Sequence, residues 1–123
     1  MYFLTVPSEI IAVLAFHLKI HYFTIVKRMN KVTNKDIDEL YAVILKLESL
    51  AECKKFFRDL LTEKEINDIT ERWKIAKMLV SGVPYSQIED ELGISSTTIA
   101  RVHKWVKDGK GGYLMMMKRL GIV

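Results

Sequence analysis

Tyr85-Ser86-Gln87-Ile88-Glu89-Asp90-Glu91-Leu92-Gly93-Ile94-Ser95-Ser96-Thr97-Thr98-Ile99-Ala100-Arg101-Val102-His103-Lys104 decides how this chain folds. The stretch reads as two short helices joined by a tight turn. Gly93 sits where the first must stop and the chain reverse, a place that favours the positive φ only glycine enters freely. Ile88, Leu92, Ile94, Ile99 and Val102 stand at −5, −1, +1, +6 and +9 from that glycine, offsets that turn both helices towards one apolar seam. Ser95 is placed to cap the second helix with its hydroxyl. Outward on that helix are Ser96, Thr97, Ala100, Arg101 and Lys104. Small and hydroxyl-bearing residues at a helix N-terminus admit base edges closely, and cations behind them meet phosphate or guanine, so this helix suits the major groove of DNA. Glu89 departs from the pattern, because many such units have a small residue there.

Composition agrees with a helical domain. A chain of 123 residues, half of them hydrophobic, with two prolines and six glycines, fits one compact and largely helical domain whose core is modest. The formal charge is +4, and its placement says more than its size. From residue 101 to the end, Arg101, Lys104, Lys107, Lys110, Lys118 and Arg119 face Asp108 alone, a surplus of five positive charges that begins inside the second helix. An anionic partner suits that distribution, and a solvated basic face is the plainer alternative. The acids Glu89, Asp90 and Glu91 oppose it on the helix before. Cys53 is the single cysteine, so neither an internal disulfide nor a multi-cysteine zinc site can form within the chain. His17 and His21 share a helical face without a third ligand, so no metal is expected. Gly109, Gly111 and Gly112 form a joint after a helix rather than a phosphate-binding loop before one.

Along the chain, residues 1–29 stand apart. Ile10 to Val26 is apolar and aromatic but is interrupted by His17, Lys19 and His21. It fits neither a signal peptide nor an uninterrupted membrane span. An interfacial or anchoring helix, an extra packing helix, and an upstream extension with the natural start at Met29 are the three readings, and the last is favoured. Residues 30–123 then carry regular helical signals. Thr33 with Asp36 predicts a capped helix reaching about Leu50, its stripe made of Ile37, Leu40, Tyr41, Ile44 and Leu47. A second short helix is predicted from Ala51 to Leu60. Thr62 and Glu65 form a capping box for a third, which ends near Ser81, before Gly82 and Pro84. This third helix is apolar on more than one side, through Ile66, Ile69, Trp73, Ala76 and Val80 and again through Ile75, Met78 and Leu79. It is either the central helix of a monomer or a helix shared with a second subunit. A last amphipathic helix holds Tyr113, Leu114, Met116, Met117 and Leu120.

The order of elements and their residues resemble the tryptophan-repressor superfamily, specifically its YerC/YecD-type branch, from about Thr33 to Leu120. The resemblance is carried by Phe56-Phe57-Arg58-Asp59-Leu60-Leu61-Thr62, by Glu71-Arg72-Trp73-Lys74-Ile75-Ala76 with Leu79 and Gly82, by Tyr85-Ser86-Gln87-Ile88-Glu89, by Thr98-Ile99-Ala100-Arg101-Val102 and by Gly112-Tyr113. It implies an all-α fold with a helix-turn-helix at about 85–104, interwoven between two subunits into a homodimer, and a cytoplasmic protein. It also implies binding to double-stranded DNA, with Ser95, Ser96, Thr97, Thr98, Ala100, Arg101 and Lys104 as contact residues.

The same resemblance marks Thr62, Arg72, Arg101, Val102 and Trp105 as a possible ligand pocket. Both arginines that flank the indole in the tryptophan-responsive repressor are kept, as Arg72 and Arg101. A glycine and a serine of that repressor are replaced by Val102 and Trp105, so these side chains are expected to fill the pocket wholly or in part, with ordinary core packing the plainest role for Trp105. The reading is a sequence-specific DNA-binding transcriptional regulator with no cofactor, no enzymatic role, no membrane partner and no tryptophan response. The alternatives are a protein-interaction module on the same scaffold and a membrane-tethered regulator.

Overall fold

The structure is a computed structural model and describes residues 5–29 and 31–123. Among these residues there are seven α-helices and no strand. They are α1 (Ser8–Met29), α2 (Asn34–Ile44), α3 (Leu50–Leu60), α4 (Glu63–Val80), α5 (Tyr85–Leu92), α6 (Ser96–Asp108) and α7 (Gly112–Arg119). The chain divides into two units, residues 1–47 and 48–123.

The first unit holds α1 and α2. Residues Ser8–Arg28 of α1 are long and apolar enough to cross a membrane by length and composition, with a mean hydropathy of 1.5 over the most apolar window, and that window is unburied. Ile11, Leu14, Phe16, Leu18 and Phe23 are all exposed. His17 donates from Nδ1 to the Val13 carbonyl at 2.9 Å, a bond back onto its own helix. The division expected at residues 29 and 30 falls partly outside the described residues, which omit 1–4 and Asn30.

α2 begins as its residues dictate. The Thr33 hydroxyl accepts from the Asp36 amide at 3.3 Å, while the Asp36 carboxylate accepts from the Thr33 amide at 2.7 Å, so two orphan donors are satisfied reciprocally. The helix is shorter than the predicted span to Leu50, because it closes at Ile44 and the chain turns through Lys46, whose amide donates to Val43. The reason is a second start signal. Ser49 accepts from the Glu52 amide at 3.2 Å and Glu52 accepts from the Glu48 amide at 2.8 Å, which opens α3 at Leu50 and forbids a continuous helix.

The second unit holds α3 to α7. Its α4 starts at the expected capping box, with Thr62 and Glu65 exchanging bonds of 3.3 and 2.8 Å, and runs to Val80 before the chain turns at Ser81 and Gly82. Against α4 pack α3, α5, α6 and α7. The core is Ile75 and Ala76 from α4, Ile88 from α5, Ile99 and Val102 from α6, and Met117 from α7, all buried. The seam expected from the glycine offsets is therefore present, with Leu92 and Ile94 half-buried at its edge. Each fully buried isoleucine contributes roughly 2–3 kcal/mol relative to exposure. Six buried residues make a small core, and apolar side chains stay outside it: Leu50, Leu60, Ile69, Met116 and Leu120 are exposed.

Candidate nucleic-acid interface

α5 stops at Gly93, whose φ of 64° and ψ of 35° put it in the left-handed region and whose amide donates to the Glu89 carbonyl at 2.8 Å. Two residues later Ser95, in extended backbone, starts α6 by accepting from the Thr98 amide at 3.4 Å. Burial of Ile99 and Val102 then fixes the rotation of α6 about its axis. The opposite face is left to solvent, and Ser96, Thr97, Ala100, Arg101 and Lys104 are all exposed on it. Neither Arg101 nor Lys104 is in an ion pair among the described residues, where the salt bridge is Lys64 with Asp68 at 2.8 Å. Two of the expected contact residues are otherwise engaged. The hydroxyls of Ser95 and Thr98 lie 3.2 Å apart and bond to each other, and Thr98 is half-buried.

Beside this face lies a cleft of about 770 Å³ between α4, α6 and the start of α7. Arg72, Trp73, Asp68 and Glu71 line it from α4; Thr98, Arg101, Val102 and Trp105 from α6; and Lys110, Tyr113 and Met116 from the C-terminal segment. Of the residues marked for a pocket, Arg72, Arg101, Val102 and Trp105 come together here. Thr62 does not, since its hydroxyl caps α4 and it is absent from the lining. In the single chain Trp105 is 60% exposed and stands at the cleft wall, outside the core to which Val102, at 5% exposure, belongs. The cleft is open to solvent in the single chain, with Val102 and Trp105 on its wall. Among the described residues no group of three His, Cys, Asp or Glu is placed to hold a metal ion.

Residues 35–121 match the family model of the Trp repressor protein. The chain belongs to the Trp repressor family. It is 39% identical over 93 residues to the uncharacterized protein YerC of Bacillus subtilis (strain 168), a match covering 76% of this chain and 89% of YerC. Among solved structures it is similar to a TrpR-like protein from Eubacterium eligens, with a TM-score of 0.71 and 35% identity over 76% of this chain and 97% of that one. A candidate Trp repressor from Staphylococcus aureus is similar with a TM-score of 0.69 and 40% identity, over 74% of this chain and 91% of that one.

The all-α, Trp-repressor-like fold with its helix-turn-helix is thus established for this member of the Trp repressor family. Sequence reasoning missed one pairing in the head. Tyr85 Oη and His103 Nδ1 are 2.7 Å apart and join α5 to α6 across 18 positions, with the rings edge to face. Only the turn at Gly93 makes that pair adjacent, and no local spacing announces it. Trp73 and Tyr113, in the cleft, were legible as apolar residues of two different helices but not as partners.

Proposed function

We propose that this member of the Trp repressor family is a sequence-specific DNA-binding transcriptional regulator working in the cytoplasm as a homodimer. The observation that carries the reading is the exposed face of α6, where Ser96, Thr97, Ala100, Arg101 and Lys104 stand together behind a buried seam. Such a helix enters the major groove with its N-terminal residues on base edges and its cations on phosphate or guanine. Two heads would address half-sites roughly 34–36 Å apart. The small core and the exposed Leu50, Ile69 and Leu120 support a second copy, because apolar surface of this extent is ordinarily covered. The working module is residues 30–123, with 1–29 an apolar extension; the family match beginning at residue 35 supports this division. His17, Lys19 and His21 lie within α1, and one lysine at the centre of a span costs about 2.5–3.5 kcal/mol, which weighs against a membrane tether.

Tryptophan is not the effector in this reading. Val102 narrows the cleft where the tryptophan-responsive repressor has glycine, and the Trp105 indole replaces a hydroxyl that touches the ligand. The exclusion rests on these two walls of an otherwise open cleft.

The test is selection of bound fragments from sheared genomic DNA, followed by titration of the enriched duplex at several salt concentrations. A consensus with twofold symmetry and a steep salt dependence is expected. Equal retention of all fragments, or a flat salt response, would overturn the reading.

A further inference from the structure

We infer that His103 is a further DNA-contact residue, and that Tyr85 is the positioning residue that holds its ring. The inference rests on the DNA-binding reading above. Every other side-chain hydrogen bond recorded among the described residues spans four positions or fewer, whereas Tyr85 Oη to His103 Nδ1, at 2.7 Å, ties the two helices of the head together. His103 is exposed on α6, at helical spacing from Ala100 three residues before it and Lys107 four after. This row forms the α5-side edge of the face that carries Thr97, Arg101 and Lys104; Thr98 and Trp105 form the opposite edge, on the cleft. In a helix-turn-helix the second helix lies in the groove while the first crosses the backbone. The edge of α6 nearest α5 therefore runs beside the phosphates that α5 crosses.

The bond to Tyr85 determines what the ring can offer there. With Nδ1 occupied, Nε2 is the nitrogen left to donate. In the neutral tautomer in which Tyr85 donates to Nδ1, the proton sits on Nε2; in the imidazolium, Nδ1 donates to Tyr85 and Nε2 still donates, now with a positive charge. A phosphate oxygen is the acceptor that suits both states and favours the charged one. Tyr85 is the group in contact with the ring; along the two helices the charged residues at helical spacing are Glu89, four after Tyr85, and Lys107, four after His103, with Lys104 next in the chain.

The expected behaviour is that DNA affinity rises as pH falls, because bound phosphate stabilises the imidazolium. Titration of the enriched duplex with the full chain at pH 7.5 and 5.5 should show Kd lower at pH 5.5 by roughly 3- to 10-fold. The log–log salt slope should steepen by about 0.9 for each added phosphate contact. His103→Ala should remove the pH response while His17 and His21, left in place, control for other imidazoles. Tyr85→Phe, which keeps the ring and deletes the hydroxyl, should weaken binding and flatten the pH profile. Lys104→Gln should weaken binding by a similar factor at both pH values. A pH response that persists in His103→Ala, or wild-type binding with none, overturns the role of His103; a pH response unchanged in Tyr85→Phe overturns that of Tyr85. Failure of the wild-type chain to select any duplex is a different result, and it overturns the DNA-binding reading itself.

Discussion

Trp73 and Tyr113 lie stacked on one another, their ring centroids 6.2 Å apart and their planes 15° from parallel, and the pair ties α4 to α7 beside the cleft. α7 has only 8 residues and no side-chain cap at its N-terminus, so its own hydrogen bonds hold it weakly. Packing must supply the rest, through this stack and the buried Met117. Tyr113→Ala is expected to lose about 2 kcal/mol, combining a half-buried ring with a stacked pair worth roughly 0.5–1.5 kcal/mol. Tyr113→Phe should cost little, since the ring remains. Urea unfolding of the two variants against wild type measures both, and an unchanged midpoint for Tyr113→Ala would show that the stack does not hold α7.

Two glycines that look alike in the sequence should respond differently to alanine. At Gly93 the left-handed backbone is the whole difficulty, since a Cβ would meet open space, so Gly93→Ala should cost about 1–2 kcal/mol. Gly109 has an ordinary negative φ, but a Cβ there runs into the backbone carbonyl oxygen of Trp105. No rotamer relieves a clash with backbone. Gly109→Ala must move the last turn of α6, and thermal melts are expected to rank it as the more damaging of the two.

The chain states its local decisions openly and its distant ones hardly at all. Thr62 with Glu65, Thr33 with Asp36, and Gly93 each act within a few residues, and the structure has all three devices where spacing put them. Ser49 with Glu52 is the same kind of signal, masked by Leu47, which continues the apolar spacing of the helix before. The seam of Ile88, Ile99 and Val102 was readable because burial follows from period and turn together. What separates Trp105 from the core is different in kind. Its exposure depends on where α4 and α7 end around the cleft, and on the rotation that Ile99 and Val102 impose on α6. The Tyr85 to His103 bond was hidden for the same reason.

Acid should loosen the helix starts before it touches the core. Glu65 is held below its ordinary value of 4.5 by the backbone amide and hydroxyl of Thr62, and Asp36 is held below 3.8 by the hydroxyl and amide of Thr33. Both carboxylates are depressed in the folded chain, so their contribution is complete above the ordinary values and disappears as pH falls through the lowered ones. Stability should accordingly decline below about pH 4.5, and Thr62→Ala, which removes a cap worth about 1 kcal/mol, should show a shallower decline. Chemical denaturation from pH 7 to 3 measures this, and parallel curves for the two proteins would remove Glu65 from the account.

Reversing the two substitutions at the cleft should restore room for an indole. Trp105→Ser deletes a side chain that is 60% exposed, so its cost in stability should stay below about 1 kcal/mol. Val102→Gly is different, because Val102 lies in the core and a glycine inside α6 adds its own penalty; together these approach 3 kcal/mol. Arg72 and Arg101 remain on the cleft in both variants. Isothermal titration with L-tryptophan is expected to give no measurable heat for wild type, and binding for the double variant, with Trp105→Ser alone as the version whose folding is not in question. Micromolar binding by the wild-type chain would mean that Val102 and Trp105 leave the indole room. Absence of binding in a folded double variant would mean that the exclusion lies elsewhere on the cleft wall, where Asp68 and Glu71 are the lining groups able to repel a carboxylate.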